Sequence, residues 1–589
     1  MIVADFRITK NLVLFKYITF AAERFMLQYS TIHFSKDCKT YCNIRQQSNR
    51  LLHKSLFSEY MKPLSLFRLI LLAIICSYTF SDVRSCPTDS ICIDSLNIKT
   101  DSSHIIIGDV CTRNVFDSDN IKTKKNFKIA ALETFGMNIS LWAYDRYIQK
   151  GQFAYISLNT IIANFKNGFE WDNDHLNTNM FAHPYNGSLF FNAGRSNGFN
   201  FWQSELFAIS GSTMWELFME REYPSTNDII ATPIGGAALG EVFYRTSDMV
   251  LDDRTKGAER FGRELASFII SPMRGFTRII TGRAWKKRAV TGREFDNQPF
   301  NAEISLGTRI LSYHDNRHIN KAGVSARISM VYGDLFETES KTPYDYFSFL
   351  AEFNIMKTQP ILSRVEIIGR LLSKQLIDNN KYNLSIGLFQ HFDFFDSDTI
   401  SQYKPTVIEP CVVPYKLGTP ACIGSGLLFR FLDERVKLVA SCHFNGVILG
   451  GILSDYYRYY HRNYNWASGF SIKFGIRGSC LNDKLTFAVN NQFYRLYTMN
   501  TLGSDVDWSE APGGKPVNVN GDESIGFFYH MEGQINYRIM KSFFLTAKLD
   551  LYDRSTCYKG GLKYDNWYAS DWFITSKQIS YQIMITKKF

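Results

Sequence analysis

The chain has 589 residues, is 15% aromatic with 48 Phe and 32 Tyr, and carries a formal net charge of +10. Its length exceeds one ordinary domain, so at least two structural units are expected. The charge is lopsided: residues 1–60 hold nine Lys and Arg against four Asp and Glu, and residues 61–85 three against one, leaving +3 for the rest. So even a remainder excludes the basic footprint of a nucleic-acid binder.

From Met61 the order is Lys62, an apolar stretch from Leu64 to Phe80 interrupted by Arg68, then Ser81 and Ser85. That is the charged, apolar and small-residue order of a secretory signal, and its clean core, Leu69 to Cys76, is too short for a comfortable anchor. Residues 1–60 are therefore read as a non-structural upstream extension, 61–85 as a signal peptide and 86–125 as a flexible polar lead-in. Cys86, Cys92 and Cys111 lie in that lead-in, where export permits disulfides; none of these three shows metal-ligand spacing.

Apolar residues recur at helical spacing over 127–149, 201–220, 234–251 and 258–281, which defines an α-helical module at 126–295. After residue 300 the period becomes two. Over 524–538, Ile525, Phe527, Tyr529, Met531, Ile535 and Tyr537 take one parity, and Ser524, His530, Glu532, Gln534 and Asn536 the other. One face suits lipid and the other water. Val324, Ala326, Ile328 and Met330 alternate in the same way with Ser325, Arg327 and Ser329, as do Val436, Leu438, Ala440, Cys442 and Phe444 with Lys437, Ser441, His443 and Asn445. Further segments near 303–312, 346–356, 362–372, 381–394, 421–432, 464–477, 484–497, 541–552 and 577–589 bring the total to about twelve strands. The predicted fold is a membrane all-β barrel of antiparallel strands at 296–589, preceded by the helical module. Ile579, Tyr581, Ile583 and Ile585 share parity with the terminal Phe589. A closing aromatic of this kind resembles the signal that barrel-assembly machinery reads in the last strand, and Lys587 on the same parity departs from it. The expected location is the outer membrane of a Gram-negative bacterium, with outer-membrane lipid as a partner.

The unusual residues precede the barrel. Glu205, Ser212, Glu216 and Glu220 follow one another at spacings of seven, four and four, and so line one stripe of an otherwise apolar helix. Facing protein, such carboxylates have raised pKa values suited to proton transfer; facing water, they merely solvate. Pro224-Ser225-Thr226-Asn227-Asp228 has turn and capping composition, and Gly236 and Gly240 allow a close helix approach. Glu241, Arg245 and Asp248 fit an intrahelical ion-pair ladder. The sharper alternative gathers His183, Glu205, Glu216, Asn227, Asp228 and Glu241 into a polar site that activates water or binds a cation. Spacing fixes adjacency within each helix only. No Gly-x-Ser-x-Gly elbow, His-Glu-x-x-His pair or phosphate-binding loop is present, and the sequence identifies no cofactor.

The string His183-Pro184-Tyr185 with Gly187-Ser188, Asn192 and Arg195, followed by Gly211-Ser212, Trp215-Glu216, Pro224-Ser225, Asn227-Asp228, Thr232-Pro233, Gly235-Gly236 and Gly240-Glu241, resembles an uncharacterised bacterial family of exported barrel proteins, a domain of unknown function. The resemblance covers roughly residues 130–290. It implies outer-membrane placement and brings no reaction. The expected role is structural, binding or transport, with the module against the periplasmic end of the barrel or partly filling its lumen. The rival is an outer-membrane enzyme acting on lipid or an envelope substrate, with His183, Glu205, Glu216, Asp228 and Glu241 as candidate acid-base or metal groups.

Overall fold

The computed structural model describes residues 123–589 apart from 296–297, 314–318, 338–341, 400–412, 458–460, 499–500, 503–517, 559–561, 565–566 and 570–572. The upstream extension, the signal peptide and the three clustered cysteines lie outside the described residues.

Twelve strands close into one barrel: β1 Phe300–Tyr313, β2 Ile319–Tyr332, β3 Phe347–Ile355, β4 Leu362–Asp378, β5 Tyr382–Asp396, β6 Lys416–Leu432, β7 Val436–Leu453, β8 Tyr464–Cys480, β9 Leu485–Tyr497, β12 Ser524–Met540, β13 Phe543–Tyr558 and β16 Phe573–Lys588. Two small two-stranded sheets, β10 Thr501–Leu502 with β11 Gly521–Asp522 and β14 Leu562–Tyr564 with β15 Trp567–Ala569, lie within the connections. Each barrel strand pairs antiparallel with its neighbours in the chain, and β1 meets β16 through pairs such as Arg309 with Gln582. Closure leaves no edge to aggregate or to expose backbone groups to lipid. Both termini of the barrel and the short connections 379–381, 433–435, 481–484 and 541–542 lie at one end, the turn end; 397–415, 454–463, 498–523 and 559–572 connect strands at the other, the loop end. In outer-membrane barrels short turns are periplasmic and long loops extracellular.

The alternating pattern does what the sequence predicts. On β16, Gln578, Ser580, Gln582 and Thr586 are buried inside, while Tyr581, Ile583 and Ile585 are exposed outside. The lumen is filled mainly by the strands' own side chains, joined at the turn end by Leu335, Phe336 and Tyr346 of the connection between β2 and β3, which pack against inward-facing Phe389 and Leu428. Arg364 pairs with Glu532 at 2.6 Å and Glu366 at 2.8 Å, Arg327 with Glu532 at 3.2 Å, and Lys548 with Glu352, Glu532 and Asp550. Nearer the loop end, Phe395, Tyr415, Tyr494, Phe528 and Tyr552 form a packed aromatic layer.

The module contains α1 Phe127–Ala143, α2 Leu158–Asn167, α3 His183–Ser196, α4 Phe201–Met214, α5 Thr226–Val250, α6 Gly257–Ile270 and α7 Pro272–Ile280. Three π-helical turns, Tyr144–Gln149, Thr178–Ala182 and Trp215–Met219, interrupt or extend them. None of the described helices is long and apolar enough to cross a membrane. The predicted helices at 127–149, 201–220 and 234–251 are present, and 258–281 divides at Ser271 into two. α3, with Pro, Asn and two glycines, was not predicted.

The module neither plugs the lumen nor sits beneath the barrel, which corrects the expected placement. It packs on the outer wall. Phe347, Val365, Ile367, Phe392, Phe394, Ala421, Leu449, Tyr464 and Trp466 carry the outward parity of β3 to β8, yet they are buried in one core with Met180, Phe190, Phe191, Phe201, Leu239 and Val242. Gly418 and Gly451, also outward, form the cradle in which Met180 sits. On the other side of the barrel none of the described residues covers the outer wall: Leu306, Leu545 and Ile583 are exposed.

Candidate functional site

Two elements bring the module's polar residues together. The π-helical turn Thr178–Ala182 runs straight into α3, whose first turn holds His183 and Pro184; a π turn widens the helix and is frequent at functional sites. The turn Trp215–Met219 does the same for Glu216, which would otherwise continue the stripe of α4. Glu216 accepts a hydrogen bond from the backbone N–H of Ser225 at 2.7 Å, so it caps the chain at the start of α5. Asp228 stands in the first turn of α5, at the positive end of the helix dipole. Ser212 donates its hydroxyl to the Asp228 carbonyl at 3.1 Å and so ties α4 to α5.

The barrel supplies the remaining constraint. Segment 171–175 is held by strand and loop residues of the loop end: the Asp172 carbonyl accepts from Arg462 at 3.1 Å and from the Trp466 indole at 3.3 Å, and the Asp174 carbonyl accepts from the Tyr464 hydroxyl at 3.3 Å. Trp171 and His175 lie against Trp466 and His461 respectively. From the module side, Asn227 accepts from the Asp172 N–H at 2.9 Å. The result is a group of acidic side chains around one imidazole: the ligand atoms of Asp172, Asp174 and His183 all lie within 4.8 Å of one another, and Asp228 Oδ2 is 3.9 Å from His183 Nε2. A small pocket lined by His183, Asn186, Phe190, Ser212, Glu216 and Thr232 opens beside them.

Burial dominates the electrostatics. It pushes the Asp174 carboxyl up to about 6, with the charge of Asp172 adding to the effect, and raises Glu220 to about 8 against the pull of His183 and of the Trp215 N–H. Asp228 and Glu216 are raised well above the ordinary range, first by desolvation and then by neighbouring carboxylates. Groups in this state keep their protons or take up a cation.

Of the five candidates, His183, Glu216 and Asp228 gather here, and Glu205 and Glu241 do not. Glu241, fully buried, is clamped by Arg195 (Nε–Oε2 2.7 Å, Nη2–Oε1 3.0 Å) and by Arg245 one turn on at 2.8 Å. Burial opposes its charge, but the two guanidinium groups outweigh it and hold the carboxyl below its usual range. The expected ladder is only half formed, because Asp248 pairs with Arg274 and accepts from the Glu294 N–H instead. Glu205 is half-buried on α4, with its carboxyl raised to about 8 by burial alone. Asp172 and Asp174 were missed. Their signal was present as Asp172-Asn173-Asp174-His175, three ligand-type side chains in four residues.

A closed antiparallel barrel with a polar interior and an apolar outer wall defines the class: this is a transmembrane β-barrel of the bacterial outer membrane. The family described as Domain of unknown function (DUF3943) matches residues 168–273, which span the acidic segment, α3 to α5, α6 and the start of α7. Among solved structures, the chain is similar to the NanC porin (10% identity over 48% of this chain and 100% of that one, TM-score 0.23), to OmpT, an outer membrane protein of Vibrio cholerae (8%, 50% and 100%, 0.20), and to the Pseudomonas putida toluene transporter TodX (8%, 50% and 90%, 0.19). These values carry nothing beyond a general likeness. Comparison with curated proteins finds no match.

Proposed function

We propose that this protein works on the lipid side of its barrel, where the helical module binds a polar group of an envelope amphiphile in the pocket beside His183, and that it does not pass solutes through the lumen. One observation carries the reading: the lumen is packed with ion pairs and aromatic rings, while the module and its pocket lie on the outer wall. The module's own outer surface is apolar, with Phe135, Leu206, Ile209 and Phe218 exposed, as a surface in contact with lipid tails should be. The organism is proposed to be Gram-negative. The last strand, with Ile583 and Ile585 on its outer face, is proposed as the segment read by the barrel-assembly machinery.

The test has two arms. In planar bilayers the purified protein is expected to show no stable porin-like conductance. Native mass spectrometry is expected to find an envelope lipid retained by the wild type and lost from His183→Leu and Glu216→Gln. Steady conductance, together with lipid retention that these substitutions leave unchanged, would refute the reading. Acid-base catalysis on the same ligand is the second reading, favoured by the His183 imidazole beside the buried Asp228 carboxylate. It requires a product to form from envelope lipid with the wild type and not with His183→Gln.

A further inference from the structure

We infer that Asp172, Asp174, His183 and Asp228 form a binding site for one divalent transition-metal cation, Zn2+ or Mn2+, at the loop end of the outer wall. The first observation is geometric. The donor atoms of Asp172, Asp174 and His183 lie within 4.8 Å of one another, close enough to be drawn onto one ion by small side-chain rotations.

The second is independent of that spacing. Asp228 is 2% exposed, its Oδ2 is 3.9 Å from the same imidazole, and its Oδ1 has no hydrogen-bond partner; Asp172 Oδ2 is likewise buried and unpartnered. Buried charges in proteins are paired or hold metals. Elsewhere in this module most are paired: Glu241 with Arg195 and Arg245, Asp248 with Arg274, Asp253 with Arg260 and Arg278; Glu133, which accepts from Asn197, is a lone buried carboxyl, whereas here several gather around one imidazole. Among the described residues no Lys or Arg lies within ion-pair distance of the carboxylates of Asp172, Asp174, Glu216 or Asp228. The positive charge missing from this end of the module is what a cation supplies.

The donor set selects the class. Carboxylates alone suit Mg2+, Ca2+ and Mn2+, whereas an imidazole among them shifts preference toward later transition metals such as Zn2+. The scaffold is fixed from both sides: the Asp172 N–H donates to Asn227 of the module, and its carbonyl accepts from Arg462 and Trp466 of the barrel. An ion here would join module to barrel. Because the bare ion is the probe, the site stands or falls apart from the lipid-binding reading.

The experiment uses the full chain in detergent, stripped with a chelator and dialysed. It is titrated with Zn2+, Mn2+ and Ca2+ by calorimetry, and bound metal is counted by mass spectrometry. The expected result is a single Zn2+ or Mn2+ per chain, held more tightly than Ca2+, with affinity lowered about 100-fold or more in Asp172→Asn/Asp174→Asn and in His183→Gln. Heat-modifiable gel mobility shows whether each variant keeps its barrel. Should the double variant fail that check, Asp174→Asn, which alters a connecting segment alone, decides. Absence of stoichiometric uptake by the wild type, or equal uptake by folded Asp174→Asn and His183→Gln, overturns the site.

Discussion

Glu241 shows how the module balances its buried charge. Both of its oxygens engage guanidinium groups, and Arg245 reaches on to Thr342 and to the Pro343 carbonyl in the connection between β2 and β3, each at 2.9 Å. Removing the carboxylate leaves two buried cations without compensation, a loss of about 3–5 kcal/mol by the general behaviour of buried pairs. Glu241→Ala is therefore expected to speed amide hydrogen exchange throughout α3 and α5 while leaving the barrel strands protected. Unchanged exchange in α3 would show that the clamp contributes no stability. At this scale the sequence identified the polar residues but not their partners. Glu216 and Glu241 look alike as carboxylates on apolar helices, and only the fold gives one of them two arginines and the other a backbone N–H at Ser225.

Among the elements, the strands were legible because each is apolar on one side and polar on the other, a period of two that a helix does not imitate. α3 was not, because His183 to Ser196 has the Pro, Asn and Gly content of a turn. It is helical because it is almost wholly enclosed, and tertiary packing overrides propensity. Its glycines serve that packing. A Cβ on Gly236 of α5 would stand 2.5 Å from the Gly187 carbonyl carbon of α3, and one on Gly187 would stand 1.9 Å from the Thr232 oxygen. The Gly236–Gly240 spacing did predict a close helix approach, and the partner is α3. Gly236→Val is expected to force α3 and α5 apart, so that the module becomes protease-sensitive while the barrel keeps its heat-modifiable mobility. A variant as resistant as the wild type would contradict the close packing.

For the whole molecule, the placement of the module could not be read from the chain. An outward strand residue is apolar whether it meets a lipid tail or a helix, so Phe392 and Trp466, buried under the module, carry the same signature as the exposed Leu306 and Ile583. The consequence is a barrel closed inside and built upon outside, with its acidic site at the loop end. The central claim is that the module occupies the lipid side of the wall. Spin labels at Phe135, Leu206 and Ile209, all exposed on the module, measure this most directly in protein reconstituted into bilayers. The account predicts frequent collision with oxygen dissolved in the bilayer and little with a water-soluble nickel chelate; the reverse pattern at all three positions would contradict it.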